Sequence, residues 1–81
     1  MVKNQYNKYG VKEGYWEDCD FDGQLRSKGH YMNGSNNGYW EFYWKNGNVW
    51  MKGYYVNTEH DGYWEYYNRS GELIRKEYIL R

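Results

Sequence analysis

The chain contains no proline and no alanine, and its only cysteine is Cys19. A lone cysteine cannot close a bridge within one chain, which excludes a disulfide framework. Long apolar runs are missing too, so no membrane span is expected, and no charged-then-apolar segment suggests a signal peptide. Nor is there a surplus of charge: 11 lysines and arginines stand against 11 aspartates and glutamates, with a pI near 6.7. Nucleic-acid binders and polybasic membrane binders carry a cationic excess, so no nucleic acid and no integral membrane association is expected. A cytoplasmic protein is the simplest fit. No stretch shows a 3.6-residue apolar period with helix caps. Phosphate loops, zinc spacings and nucleophile elbows are likewise absent.

What the chain has instead is aromatic residues, 23% of its length, far above what disordered segments carry. Loss of alanine and proline alongside abundant tyrosine, asparagine and lysine suggests AT-rich coding, as in low-GC bacteria and their phages. Three of the five tryptophans sit in one tetrapeptide, Gly-Tyr-Trp-Glu, at Gly14–Glu17, Gly38–Glu41 and Gly62–Glu65, spaced 24 residues apart. A fixed period of this length marks a stacked structural unit. The units are 14–37, 38–61 and 62–81, preceded by a half-repeat cap over 1–13 in which Tyr6 lies 24 residues before His30.

Each unit reads as a hairpin. A first strand (YWEDCD, YWEFYW, YWEYYN) leads into Asp22-Gly23, Asn46-Gly47 or Ser70-Gly71, dipeptides of the kind that favour type I′ turns. A second strand follows, then Gly34–Asn37 or Thr58–Asp61 as the link to the next unit. The turn register pairs Glu17 with Lys28, Glu41 with Lys52 and Glu65 with Lys76, each an opposite-charge pair worth about 0.2–1 kcal/mol. Trp16 then faces Gly29 and Trp40 faces Gly53, the ring-over-glycine arrangement of aromatic rescue. The third unit has Glu77 at that place. A four-residue link pairs Tyr31 with Trp40 and Tyr55 with Trp64. Simple alternation puts Leu25, Phe42, Val49, Met51 and Leu73 on the tryptophan face, and Tyr15, Glu17, Lys28 and His30 with their repeat mates on the other. The expected fold is all-β: an antiparallel meander of tandem hairpins forming one curled sheet of about seven strands.

The pattern G-Y-W-E-x-Y-x-x-x-G-x-L-x-x-K-G-x-Y resembles the MORN repeat (membrane occupation and recognition nexus), in the form common in small bacterial proteins. The resemblance runs from Gly14 to the end of the sequence. It departs in the first unit, where Asp18-Cys19-Asp20 replaces Phe42-Tyr43-Trp44 of the second. It implies a hairpin sheet with no enzymatic activity that binds other proteins, some members being antitoxin-like.

Candidate chemistry is sparse. His60 falls in the expected link and His30 on the charged face opposite Glu41, without the pocket a general base needs. Among the acids Glu17, Asp18, Asp20 and Asp22, strand alternation sends Glu17 to one face and Asp18 and Asp20 to the other, so no metal site is expected, and no cofactor. Cys19 aligns with Tyr43 and Tyr67 and reads as a packing position. The middle unit is the aromatic one: Phe42 stands where others have Asp18 and Tyr66, Trp44 where they have Asp20 and Asn68, Trp50 where they have Arg26 and Ile74. Because Trp and Tyr dominate interface hot spots, Phe42, Trp44, Trp50 and Tyr54, with His30, Asp18 and Asp20 at the rim, form the expected partner-binding set. The partner is expected to be another protein or a second copy of the chain, bound by an inhibitor-like or antitoxin-like module. A lipid or glycan surface is the alternative, since exposed indoles stack on sugars or sit at headgroup boundaries. On this reading the core side is covered only if the sheet curls or another chain lies on it, because rings left wet would make the fold hard to sustain.

Overall fold

The computed structural model describes residues 2–80. They form one seven-stranded antiparallel sheet in chain order: β1 (Gln5–Tyr6), β2 (Lys12–Cys19), β3 (Leu25–Met32), β4 (Ser35–Tyr43), β5 (Val49–Val56), β6 (Glu59–Tyr67) and β7 (Leu73–Ile79). The sheet is an open meander, and no helix occurs among the described residues. It measures 41 × 38 × 18 Å, a slab one sheet thick.

The hairpin register follows the sequence. Trp16 faces Gly29, Glu17 faces Lys28, Trp40 faces Gly53, Glu41 faces Lys52, and Trp64 and Glu65 face Glu77 and Lys76. Between hairpins it differs from the expected link. Trp40 stands opposite Gly29 and Trp64 opposite Gly53, not opposite Tyr31 and Tyr55. The reason is the turn. The link closes in two residues, Asn33-Gly34 (φ 49° and 82°) and Asn57-Thr58 (φ 48° and 73°), so the type I′ geometry lies here. In the hairpin tips only the glycine, such as Gly23 at φ 88°, is left-handed, and Gly23 N–H donates to the Asp20 carbonyl at 2.9 Å. That is a type I turn followed by a left-handed glycine, the usual three-residue hairpin loop. Left-handed backbone costs an L-residue about 1–2 kcal/mol, and a β-branched side chain tolerates it least. Thr58→Gly should therefore stabilise the fold by about 1 kcal/mol, read as a higher denaturant midpoint at unchanged slope.

Two bulges per repeat reshape the sheet. One lies inside β4 and β6, where the ladder shifts beside His30 and beside Tyr54. Gly38 and Gly62 adopt φ of 96° and 66° there, so the glycine of Gly-Tyr-Trp-Glu serves a strand bulge and not a turn exit. The other falls at Arg26, Trp50 and Ile74, each an extra residue against its partner strand. It reverses the alternation beyond it. Val49 pairs with Tyr43, whose hydroxyl reaches Glu41, so Val49 lies on the charged face together with its counterparts Leu25 and Leu73. Simple alternation had placed all three on the tryptophan face; the extra residue is what moves them.

The core is the tryptophan row. Trp16, Trp40 and Trp64 are 6%, 1% and 0% exposed in a sheet with no second layer. Burial comes from three sides. Beneath Trp40 and Trp64 lie Gly29 and Gly53, whose missing Cβ atoms would fall inside those rings. Tyr31 meets Trp40 edge-on at 5.0 Å, and Tyr55 meets Trp64 at 5.1 Å. On Trp64 the His60 ring stacks at 3.7 Å, and over Trp16 the Lys12 ammonium sits at 4.7 Å. His60 therefore belongs to β6 and covers the core; it is not a link residue. Each indole N–H also satisfies the carbonyl left free by the bulge: Trp40 donates to His30 O and Trp64 to Tyr54 O, both at 2.9 Å. The three core indoles are thus buried within the one chain, by glycine seats and neighbouring side chains and without a second chain over them.

The N-terminal cap follows the same plan with an offset of 25 in place of 24. Its turn, closed by Gly10 N–H to Asn7 O at 3.0 Å, is the longer type. Tyr6, matched in sequence to His30, accordingly plays the part of Tyr31 and packs edge-on against Trp16 at 5.2 Å.

Candidate functional site

The two faces carry different chemistry. On the charged face Glu17, Lys28, Glu41, Lys52, Glu65 and Lys76 form one unbroken row across six strands. The short ion pairs run between hairpins: Lys28 to Glu41 at 3.6 Å and Lys52 to Glu65 at 3.8 Å. Each glutamate is also held by tyrosines two residues away. Tyr39 (2.8 Å) and Tyr43 donate to Glu41, and Tyr63 (2.6 Å) and Tyr67 (2.5 Å) donate to Glu65. Glu17 has Tyr15 at 2.8 Å, but Cys19 lacks the second phenol, and Lys3 fills the gap at 2.7 Å.

These contacts shift titrations in both directions. Hydrogen bonds from Lys3 and Tyr15 lower Glu17, and those from Tyr63 and Tyr67 lower Glu65. For Glu41 partial burial opposes ionisation, but Tyr43, Tyr39 and Lys28 outweigh it and the net direction is down. Burial, then Glu17, pushes Tyr15 up to about 12, and the bond to Glu65, then burial, takes Tyr63 to about 12. Burial lowers His60 from its ordinary 6.5. A depressed carboxylate stabilises the fold above its unfolded pKa near 4.5 and loses that contribution as pH falls through the folded value. A depressed histidine opposes folding as pH drops below 6.5, and a raised phenol stops helping as pH climbs from 10 towards 12. Thermal melts across pH should show a plateau between about 7 and 10 with a fall on both sides. A melting temperature that keeps rising above pH 10 would contradict this.

On the tryptophan face, towards the hairpin tips, lies a second aromatic group. Phe42 stacks beside Trp40 at 5.8 Å and meets Trp50 at 6.3 Å, and Trp50 meets Trp44 at 5.4 Å. Trp50 is 39% exposed, unlike the three core indoles. The bulge turns Trp50 towards the residue that opens the tip, so positions 44 and 50 touch. In the first unit the same two positions hold Asp20 and Arg26, joined by a two-oxygen contact at 3.0 and 3.2 Å. An ion pair in one unit has become an indole pair in the next.

Trp44 also reaches into the third unit: its N–H donates to Tyr67 O at 3.1 Å and the Arg69 guanidinium lies 5.2 Å from its ring. Asn46 and Asn48 both donate to Arg69 O at 2.8 Å and fix that loop. The result is a cleft of about 440 Å³ lined by Arg26, Trp44, Lys45, Asn46 and Arg69, an indole among three cations.

The seven expected binding residues do not form one surface. Phe42, Trp44 and Trp50 share the patch. Asp18 accepts from the Ser27 hydroxyl at 3.3 Å on the same face, and Asp20 is held by Arg26. Tyr54 and His30 lie on the opposite face, paired with Tyr39 and Tyr15. His30 stands opposite Tyr15 and not Glu41, because Glu41 takes Lys28 as its partner in the row. The cations Arg26, Lys45 and Arg69 were not anticipated. Their signal was the paired change at positions 20 and 26 and at 44 and 50, which only the bulge reveals as contacts. No cluster of three potential metal-binding side chains and no helix able to cross a membrane occurs among the described residues. Compared with protein-family models, with curated proteins and with solved structures, the chain matches none.

Proposed function

We propose that this is a MORN-type, non-enzymatic binding module of the cytoplasm that covers a surface of another protein with Phe42, Trp44 and Trp50, in the manner of a small inhibitor or antitoxin. The observation that carries this reading is the contrast among the five tryptophans. Three are buried inside the sheet, whereas Trp50 is 39% exposed against its neighbour Trp44. Buried indoles explain the fold, and Trp44 ties the second hairpin tip to the third; the outward part of Trp50 is surplus to both. Aromatic rings presented beside arginines are the composition of interface hot spots. Arg26, Lys45 and Arg69 at the margin would set orientation more than affinity.

The test is affinity capture with the tagged protein, comparing wild type, Trp50→Glu and Tyr54→Glu. Wild type and Tyr54→Glu should retain a stoichiometric partner, since Tyr54 lies on the other face. Trp50→Glu should weaken capture by about 30-fold, the effect of losing one hot spot. Equal retention by all three proteins, or a partnerless wild type, would remove this reading.

A further inference from the structure

The charge row across the sheet is closed at one end and open at the other. Inside the sheet every lysine of the row lies between two glutamates: Lys28 between Glu17 and Glu41, Lys52 between Glu41 and Glu65. At the β2 end Glu17 is completed by the chain itself. Lys3 binds its carboxylate at 2.7 Å, and the Asn4 carboxamide accepts from Glu17 N–H at 2.8 Å and donates to Glu17 O at 3.1 Å. One side chain thus replaces a strand along the edge of β2, the position most exposed to unwanted pairing.

The β7 end has no such cover. Strand β7 bonds to β6 alone, and Lys76 faces Glu65 with no second acid and no ion pair among the described residues. Leu73, Ile74, Lys76 and Tyr78 are exposed along it. Two further features define what could lie there. First, Glu77 occupies the place that Gly29 and Gly53 hold elsewhere, so a strand presenting an indole at that level has no seat. Second, two copies meeting edge to edge about an axis through Lys76 would set Lys76 opposite itself, so that register does not supply the missing acid. The edge is set against another Gly-Tyr-Trp-Glu strand, and a copy centred on Lys76 would leave the row unfinished.

We propose that β7 is a docking edge for an extended segment of another protein, which adds antiparallel as an eighth strand and places a carboxylate opposite Lys76 and a basic or small residue opposite Glu77. Strand addition of this type draws affinity from main-chain hydrogen bonds and specificity from alternate side chains. Here the acid supplies the missing member of the row. The surface is separate from the Trp44–Trp50 patch, and neither depends on the other.

The probe is a synthetic peptide of residues 36–43 carrying Trp40→Lys, which in the β3–β4 register sets Glu41 opposite Lys76 and the new lysine opposite Glu77. Amide hydrogen exchange of the 81-residue protein should slow in β7 when the peptide is added, and not around Trp50. Lys76→Gln and Lys76→Glu should each weaken binding, the latter by about fivefold. A peptide additionally carrying Glu41→Lys should recover affinity for Lys76→Glu. Unchanged exchange in β7, protection centred on Trp50, or equal affinity for all the Lys76 variants would overturn the proposal.

Discussion

Gly53→Ala should remove a large part of the protein's stability, although it adds a single methyl group to a surface-layer strand. A Cβ at this position would lie inside the Trp64 indole, closer than the 3.0 Å that real Cβ contacts do not breach. Trp64 cannot swing aside cheaply, because it is 0% exposed, stacked on His60, met edge-on by Tyr55 and bonded to Tyr54 O. Either the ring leaves its seat, at the roughly 3–5 kcal/mol of a buried aromatic, or the two strands part. A chain of 81 residues has about 4–12 kcal/mol of total stability. The melting temperature should fall by at least about 15 °C. Gly38→Ala is the comparison: its Cβ meets nothing within 4 Å, and only the positive φ is strained, for about 1–2 kcal/mol. Equal losses from the two substitutions would show that indole seating is not what couples the hairpins.

Trp40→Ala should have an effect of similar size by the opposite route, creating a hole where Gly53→Ala creates a clash. The ring lies between the second and first hairpins, over Gly29, with Tyr31, Phe42 and Tyr55 against it and His30 O bonded to its N–H. Its loss should cost about 3–5 kcal/mol. Because each hairpin touches only its neighbours, as in repeat proteins generally, the damage should be directional. Protection should fail first on both sides of the β3–β4 seam and persist longest between β6 and β7. Trp16→Ala should cost less, since that ring is already 6% exposed. Trp50→Ala should cost about 1–2 kcal/mol, less than Trp40→Ala, because the ring is 39% exposed where it packs on Phe42 and Trp44. Urea titrations of the three variants would rank them, and a Trp50 variant as damaging as Trp40→Ala would make the patch part of the core.

The period of 24 residues, together with alternation inside each strand, determined the all-β meander, the hairpin register and the pairing of each glutamate with a lysine. Those follow from local chemistry: side-chain period two, glycine at tight turns, opposite charges on facing strands. What stayed illegible depends on single inserted residues. Arg26, Trp50 and Ile74 are bulges, and one extra residue moves Leu25, Val49 and Leu73 to the other face without any mark in composition. The short Asn33-Gly34 link likewise slides Trp40 onto Gly29, so the ring-over-glycine contact joins successive hairpins and not the strands of one.

From this difference follows how a one-layer sheet stays dry, how Trp44 and Trp50 come to touch, and how Lys3 and Asn4 seal one edge while Lys76 is left at the other. Sequence spacing specifies which strands neighbour each other. Which face a side chain takes is decided only when bulges and turn geometry are summed along the assembled sheet, because each added residue reverses the sign of every position beyond it.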